Sequence, residues 1–222
     1  MRSIIPFFEN TKDNSHCFQA CLKMVLKFYF PGKNYSYRLL DKITNHKKGM
    51  WTWQGEALLF LSKIGFEIVN IENLDYKRFA TRGETYLKSI WSKEIFDLQD
   101  KYSNLKREQQ IARKLIKNKN ISIINKETNI RDMEDYFKKD FLLIVSVNPC
   151  VFSGEKCYWS HSVVITEIGQ KYIKFHDPGL PGIENRRVNR KLFIKAMSKP
   201  WKEDTNLIAL KLNIKNPKKI HL

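Results

Sequence analysis

A thiol, an imidazole and a carboxylate suited to nucleophilic chemistry stand at Cys17, His161 and Asp177. A thiol attacks a carbonyl as its thiolate, and a free cysteine titrates near ~8.5 unless a helix start or an imidazolium brings it down. An imidazole can shuttle the proton once a carboxylate fixes its tautomer and steadies its charged form. Residues 160–168 and 171–176 alternate as two strands joined by a turn near Gly169. With the turn centred there, His161 faces Asp177, Val163 faces Phe175 and Ile165 faces Ile173, all on one side of the sheet. A His–Asp pair at a sheet end also satisfies itself with no catalytic role, and from the strands alone both readings stand.

Cys17 gives the pair a partner. From Cys17 onward, Phe18, Cys21, Leu22, Val25, Phe28 and Tyr29 recur at helical steps, with Asn14 or Ser15 as the N-cap and Pro31-Gly32 as the stop. The thiol therefore sits in a first turn, where free N–H groups and the helix dipole favour an anion. Cys21 lies one turn deeper, on the apolar stripe, as a small buried hydrophobe. His16 reads as an exposed cap residue, and His176 lies on the strand face opposite Asp177. Trp51, Trp53, Tyr158 and Trp159 are candidates for the walls of a cleft or for the core.

The intervening elements must bring these groups together. A helix is predicted over 54–64, a strand over 66–71, and one or two charged helices over 76–126, with Leu87, Leu105, Ile111 and Leu115 at helical intervals. A helix over 131–138 leads to the uninterrupted apolar run 141–147, the pattern of a strand buried on both faces. After the hairpin come a helix over 190–198 and a strand over 206–212. Helices followed by an antiparallel sheet make an α+β pattern.

The 222 residues are enough for a sizeable core in one domain, residues 1–222, carrying the charged helical insertion at about 76–126. No apolar stretch has the ~18 residues of a membrane span. The amino terminus lacks the apolar core of a secretory signal, which predicts a cytoplasmic protein. Forty Lys and Arg against 23 Asp and Glu give a net charge of +17, which suits nucleic acid or an acidic partner; a Lys-, Ile- and Asn-rich composition also produces such a balance without selection for binding. Four cysteines, spaced as Cys17 with Cys21 and Cys150 with Cys157, match neither a disulfide scaffold nor a zinc knuckle. No metal and no cofactor is expected.

The segment Cys17-Phe18-Gln19-Ala20-Cys21-Leu22-Lys23-Met24-Val25-Leu26 resembles the nucleophile helix of the double-glycine leader peptidases of bacteriocin exporters and their stand-alone relatives. His161-Ser162-Val163-Val164-Ile165-Thr166 followed by Phe175-His176-Asp177-Pro178-Gly179 is similar to that family's His strand and Asp-Pro turn. Gln54 to Leu58, Gly65 to Glu67 and the approach to Phe141–Val147 resemble its intervening elements; the segment 76–126 lies outside the resemblance.

The resemblance implies a papain-like fold in which a helical lobe with the Cys helix packs on a sheet carrying His and Asp. It also implies amide hydrolysis in a peptide or protein, with Cys17 as nucleophile, His161 as base and then acid, and Asp177 orienting the imidazole. The same chemistry serves acyl transfer when an amine replaces water, and a basic binding module can keep the fold without the reaction. Two residues depart from the pattern. The family's oxyanion Gln, about six residues before the nucleophile, corresponds to Thr11; Asn10, one residue further, offers the amide instead, beside the backbone N–H of Cys17. Losing such a donor costs ~10²–10³ in rate. Phe18 stands where the family commonly has Gly. Coupling to export is not carried over, because the chain has no long apolar segment and no Gly-rich phosphate loop.

Overall fold

The computed structural model describes residues 4–155, 160–198 and 205–213. In chain order the elements are α1 (Cys17–Tyr29), α2 (Tyr37–Thr44), α3 (Gly55–Lys63), β1 (Phe66–Glu72), α4 (Tyr76–Arg82), α5 (Glu84–Ile90), α6 (Lys93–Tyr102), α7 (Leu105–Leu115), β2 (Ile121–Asn125), α8 (Ile130–Lys138), β3 (Leu142–Val147), α9 (Cys150–Ser153), β4 (His161–Ile168), β5 (Tyr172–Asp177), β6 (Ile183–Asn189), α10 (Arg190–Met197) and β7 (Asn206–Leu212). The strands form one seven-stranded sheet in the order β2-β1-β7-β3-β4-β5-β6. Every neighbouring pair is antiparallel except β1 with β2. This is the mixed α+β architecture expected.

Strand periodicity divides the core into two. Leu142 and Ile144 of β3, with Ile68, Val164, Ile208 and Leu210, bury against the helices of the amino-terminal half. Leu143 and Val145, with Val163, Ile165, Phe175 and Leu207, bury against Met133 of α8 and Phe193 and Ala196 of α10. Helices cover both faces, which is why β3 reads as an unbroken apolar run. Helix α1 packs across β4, and this contact brings the first chemistry-bearing residue to the strand that bears the second.

The charged segment takes a different form from the one or two helices expected. It forms four short helices and a strand. Gly83 ends α4 at φ +54, a conformation open mainly to glycine, and the side chains of Ser92 and Asn104 cap α6 and α7. Each break lets the apolar stripe of the next helix turn inward, so Phe79, Leu87, Phe96, Leu105, Ile111 and Leu115 join the same core as α1. Strand β2 then adds to the sheet edge beside β1, Ile68 opposite Ile121.

The hairpin register also differs. Ile165 lies opposite Phe175 and Val164 opposite His176, two residues away from the pairing expected, and a bulge follows before Glu167 pairs with Lys174. The turn runs through Gly169 to Lys171, closed by Gly169 N–H donating to the Tyr172 carbonyl (2.9 Å), so its centre lies beyond Gly169. Because the slip is an even number, the same side chains still share a face. His161 and Asp177 become diagonal neighbours instead of a directly opposed pair.

The amino-terminal residues cross the far end of this hairpin. Asn10 N–H donates to the Pro178 carbonyl (2.8 Å), and His176 Nε2 donates to the Ile5 carbonyl (2.9 Å). A Cβ at Gly182 would come within 2.8 Å of the Phe7 ring, so that segment lies flat on the turn after Asp177. Elements α2 and β6 had no sequence expectation, and the short α9 lies where the sequence predicts a loop from 148 to about 158.

Candidate active site

Cys17 is the first residue of α1, and its N-cap is His16, which makes no side-chain capping bond; the cap expected at Asn14 or Ser15 is therefore displaced. The backbone N–H groups of Phe18 and Ser162 and the ring of His161 all reach the Cys17 sulfur. His161 Nε2 lies 2.7 Å from Asp177 Oδ1, which leaves Nδ1 as the ring nitrogen toward the thiol. Asp177 takes two further donors: Gly179 N–H to Oδ1 at 3.0 Å and Arg186 Nη1 to Oδ2 at 2.7 Å. Cys17, His161 and Asp177, distant in the chain, are thus brought into one line, with His161 hydrogen-bonded to Asp177 on one side and facing the thiol on the other.

The electrostatics follow from that line. Burial by itself raises the Cys17 thiol, but the hydrogen bond and positive charge of His161, with the two N–H groups, outweigh it and hold the thiol below its usual 9.0. Burial disfavours an imidazolium at His161, yet the bonds to Asp177 and Cys17 push it up to about 10. Asp177 is likewise penalised by burial, and His161, Arg186 and Gly179 hold it down to about 2. The arrangement favours a thiolate facing an imidazolium. Cys21, fully buried, is driven the other way, well above 9.0, by desolvation. Both Cys17 and Cys21 are free thiols.

Asn10 is placed differently from the three. It is buried, its Oδ1 accepts from the backbone N–H of His16 (2.7 Å) and Thr11 (2.8 Å), and its Nδ2 donates to Asn14 Oδ1 (2.9 Å). Its amide braces the loop that leads into α1. Asn14, in the left-handed region at φ +56, lines the cleft that holds Cys17, His161 and Asp177, with its oxygen tied back to Asn10.

That cleft has a volume of about 940 Å³. Trp51 and Trp53 line it, as does Phe18, which is buried and also packs in the core. Trp51 stacks on Tyr102 of α6 at 5.2 Å between centroids, and Trp53 Nε1 donates to Ser103 Oγ (3.0 Å). The charged segment therefore supplies one wall. Tyr158 and Trp159 lie outside the described residues.

Two neighbouring histidines are settled by their surroundings. His176 is buried, its Nε2 donating to Ile5 and its Nδ1 accepting from Asn185 N–H (3.1 Å). His16, expected as an exposed cap, is instead 9% exposed, enclosed by Tyr37 and His46. Sequence reasoning did not reach Arg186, because the strand that carries it, β6, went unrecognised. Its run Glu184-Asn185-Arg186-Arg187 lacks the apolar alternation that marks a strand. Gly179 was accessible in principle: in Asp-Pro-Gly, an Asp side chain accepting the N–H two residues on is a common turn device.

The fold is similar to that of solved peptidase domains. The peptidase domain of Streptococcus ComA, a bifunctional ABC transporter of a quorum-sensing pathway, superposes with a TM-score of 0.51 at 16% identity, over 95% of this chain and 100% of that one. A C39-like peptidase from Bacillus anthracis gives a TM-score of 0.44 at 14% identity, over 93% and 94%. No family model matches the chain, and no curated protein matches it. The likeness to the ComA peptidase domain is one of fold, helices packed on both faces of a mixed sheet. No helix among the described residues is long and apolar enough to cross a membrane. Nothing in these comparisons supports a nucleic-acid partner for the positive charge.

Proposed function

We propose that this chain is a thiol hydrolase that cleaves an amide bond in a peptide or protein, with Cys17 as nucleophile, His161 as acid–base and Asp177 as the group that orients His161. The observation that carries the reading is the continuous line from the Cys17 sulfur through His161 to Asp177 at the wall of a cleft of about 940 Å³. The Cys17 thiolate adds to the substrate carbonyl carbon, and the oxygen takes up the negative charge. The Cys17 backbone N–H supplies one donor to that oxygen. Asn14 supplies the other, its amide nitrogen turned outward because Asn10 holds its oxygen. His161 Nδ1 gives its proton to the departing amine, leaving an acyl thioester on Cys17. His161 then takes a proton from water, which attacks the thioester and regenerates the thiolate and the imidazolium.

Asp177 keeps His161 in the orientation that offers Nδ1 to both steps, and Arg186 keeps Asp177 ionised. The aromatic wall from Trp51 to Tyr102 suits apolar side chains of an extended substrate, which supports a peptide over a small molecule. In this reading the segment 76–126 is an inserted lobe within one domain, and its work is to build that wall.

The test is labelling by an electrophilic acyl-type thiol probe, followed by peptide mapping and screening of a peptide library. Cys17 is expected to carry the label, and Cys17→Ala and His161→Ala to lose turnover by ~10²-fold or more with the fold retained. Full turnover by either variant on a cleaved peptide would show the assignment to be wrong.

A further inference from the structure

A second cluster of ligating side chains lies outside the line from Cys17 to Asp177. His16, Asp41 and His46 each offer one donor atom, and the three atoms lie within 4.8 Å of one another. They come from three parts of the chain path. His16 caps α1 and is fixed through its backbone N–H on Asn10. Asp41 lies in α2. Asn45, left-handed at φ 52, ends α2 and folds His46 back so that its N–H donates to the Asp41 carbonyl (2.9 Å).

The hydrogen bonds around His16 fix which way its ring faces. Thr11 Oγ1 has one proton and donates it to Asp13 Oδ1 at 2.5 Å. The same hydroxyl lies 2.8 Å from His16 Nδ1. Ser15 Oγ meets the same nitrogen at 2.7 Å, so two hydroxyls occupy Nδ1 and Nε2 is the nitrogen turned to Asp41. That Nε2 lies 3.0 Å from Asp41 Oδ1, yet Oδ1 is buried and makes no hydrogen bond. A ring nitrogen beside an unsatisfied buried carboxylate oxygen is a pair of donor atoms that a cation between them would satisfy.

His46 shows the same preparation. Its Nδ1 lies 2.8 Å from Thr52 Oγ1, a hydroxyl that also accepts from Gln19 Nε2 (3.3 Å). With Nδ1 engaged, Nε2 of His46 is turned to the cluster. Both imidazoles thus have the outer hydroxyl partner that holds a ligating His in one orientation.

We propose that His16 Nε2, His46 Nε2 and Asp41 bind one divalent transition metal of the zinc class. Two imidazoles and one carboxylate select a borderline metal over Ca²⁺ or Mg²⁺. Zinc–ligand bonds of ~2.0–2.1 Å set neighbouring ligands about 3.3 Å apart in a tetrahedron. The donors, 3.0 to 4.8 Å apart, reach that spacing by side-chain rotation, and the half-exposed sides of Asp41 and His46 leave a fourth position to water. The metal ties the residue before Cys17 to α2 and its following turn. The site does not depend on the hydrolase reading.

The experiment titrates the whole chain, first treated with chelator, with Co²⁺ and then Zn²⁺. One equivalent of Co²⁺ is expected to give visible bands of a four-coordinate nitrogen–oxygen site with no near-ultraviolet sulfur band, Zn²⁺ to displace it, and the melting temperature to rise with metal. Asp41→Asn and His46→Gln are each expected to weaken uptake about tenfold or more, whereas Cys17→Ala binds as the parent does. In the unaltered chain, one equivalent of Zn²⁺ is expected to protect His16 and His46 from diethyl pyrocarbonate. Uptake that persists in both ligand variants, a sulfur band that disappears in Cys17→Ala, or unprotected His16 and His46 would each overturn the proposal. Because the protection measurement needs no variant, an unfolded variant does not remove the test.

Discussion

Arg186 occupies the carboxylate oxygen of Asp177 that His161 leaves open: Nη1 reaches Oδ2 at 2.7 Å while His161 Nε2 takes Oδ1 at the same distance. The guanidinium also lies over the Phe152 ring, 4.8 Å from its centroid. Asp177 is buried, and without this counter-charge a carboxylate there pays for its desolvation with support from His161 and Gly179 alone.

Arg186→Ala therefore raises the Asp177 carboxyl and moves the acid limb of the activity profile upward by about one pH unit. Arg186→Lys recovers part of the shift, because a lysine restores charge without the planar fork. The comparison is made on pH–rate curves for one peptide substrate; an acid limb identical in all three proteins would show that Arg186 does not act through Asp177.

Stability should vary with pH at both ends. Asp177 is lowered from 3.8 to about 2, so its contribution is present above the unfolded value and is lost as pH falls through the folded one. His161 is raised from 6.5 to about 10, so its contribution is complete below 6.5 and is lost as pH rises toward 10. Between those values both are in place. Denaturant midpoints measured across this range should fall on each side, and Asp177→Asn should flatten the acid side. A variant with the parent's acid slope would assign that slope to other carboxylates.

Asn14→Ala removes the amide proposed to face the substrate oxygen while leaving Asn10 and the α1 entrance in place. The expected loss is roughly 10²-fold in kcat with KM little changed. Asn10→Ala, by contrast, should lower the melting temperature, since it strips two backbone N–H groups of their acceptor. If Asn14→Ala left kcat untouched, the second oxyanion donor would have to be sought elsewhere.

Trp51 is 41% exposed and stacked on Tyr102, so it contributes surface to the cleft more than to the core. Trp51→Ala should raise KM by about 3–10-fold, an effect of ~1 kcal/mol, with kcat and melting temperature close to those of the parent. A large fall in stability instead would mark the ring as structural.

The parts legible in the sequence were those set by local periodicity. The stripe from Phe18 to Tyr29 predicts α1, and the run from Phe141 predicts β3, because burial of one face or of both leaves a pattern in consecutive residues. The pairing of His161 with Asp177 survived a register error for a physical reason: an even slip preserves the face. What escaped was set by distant partners. Strand β6 is an edge strand whose alternation is masked by charge, so Arg186 had no place. His16 reads as exposed because nothing local announces that Tyr37 and His46 close over it. The four helices between Tyr76 and Leu115 are separated by capping residues that look like ordinary polar positions in a charged run.

The crossing of Ile5 and Asn10 over the far hairpin bears on how the polypeptide is made. Synthesis delivers the sulfur before the imidazole, the acid and its arginine. Until the leading segment finds its backbone partners beside Pro178 and His176, the sulfur is an ordinary, sluggish thiol. Tertiary closure thus sets the reactivity of this sulfur, and the hydrolase proposed above would switch on only once the fold is complete.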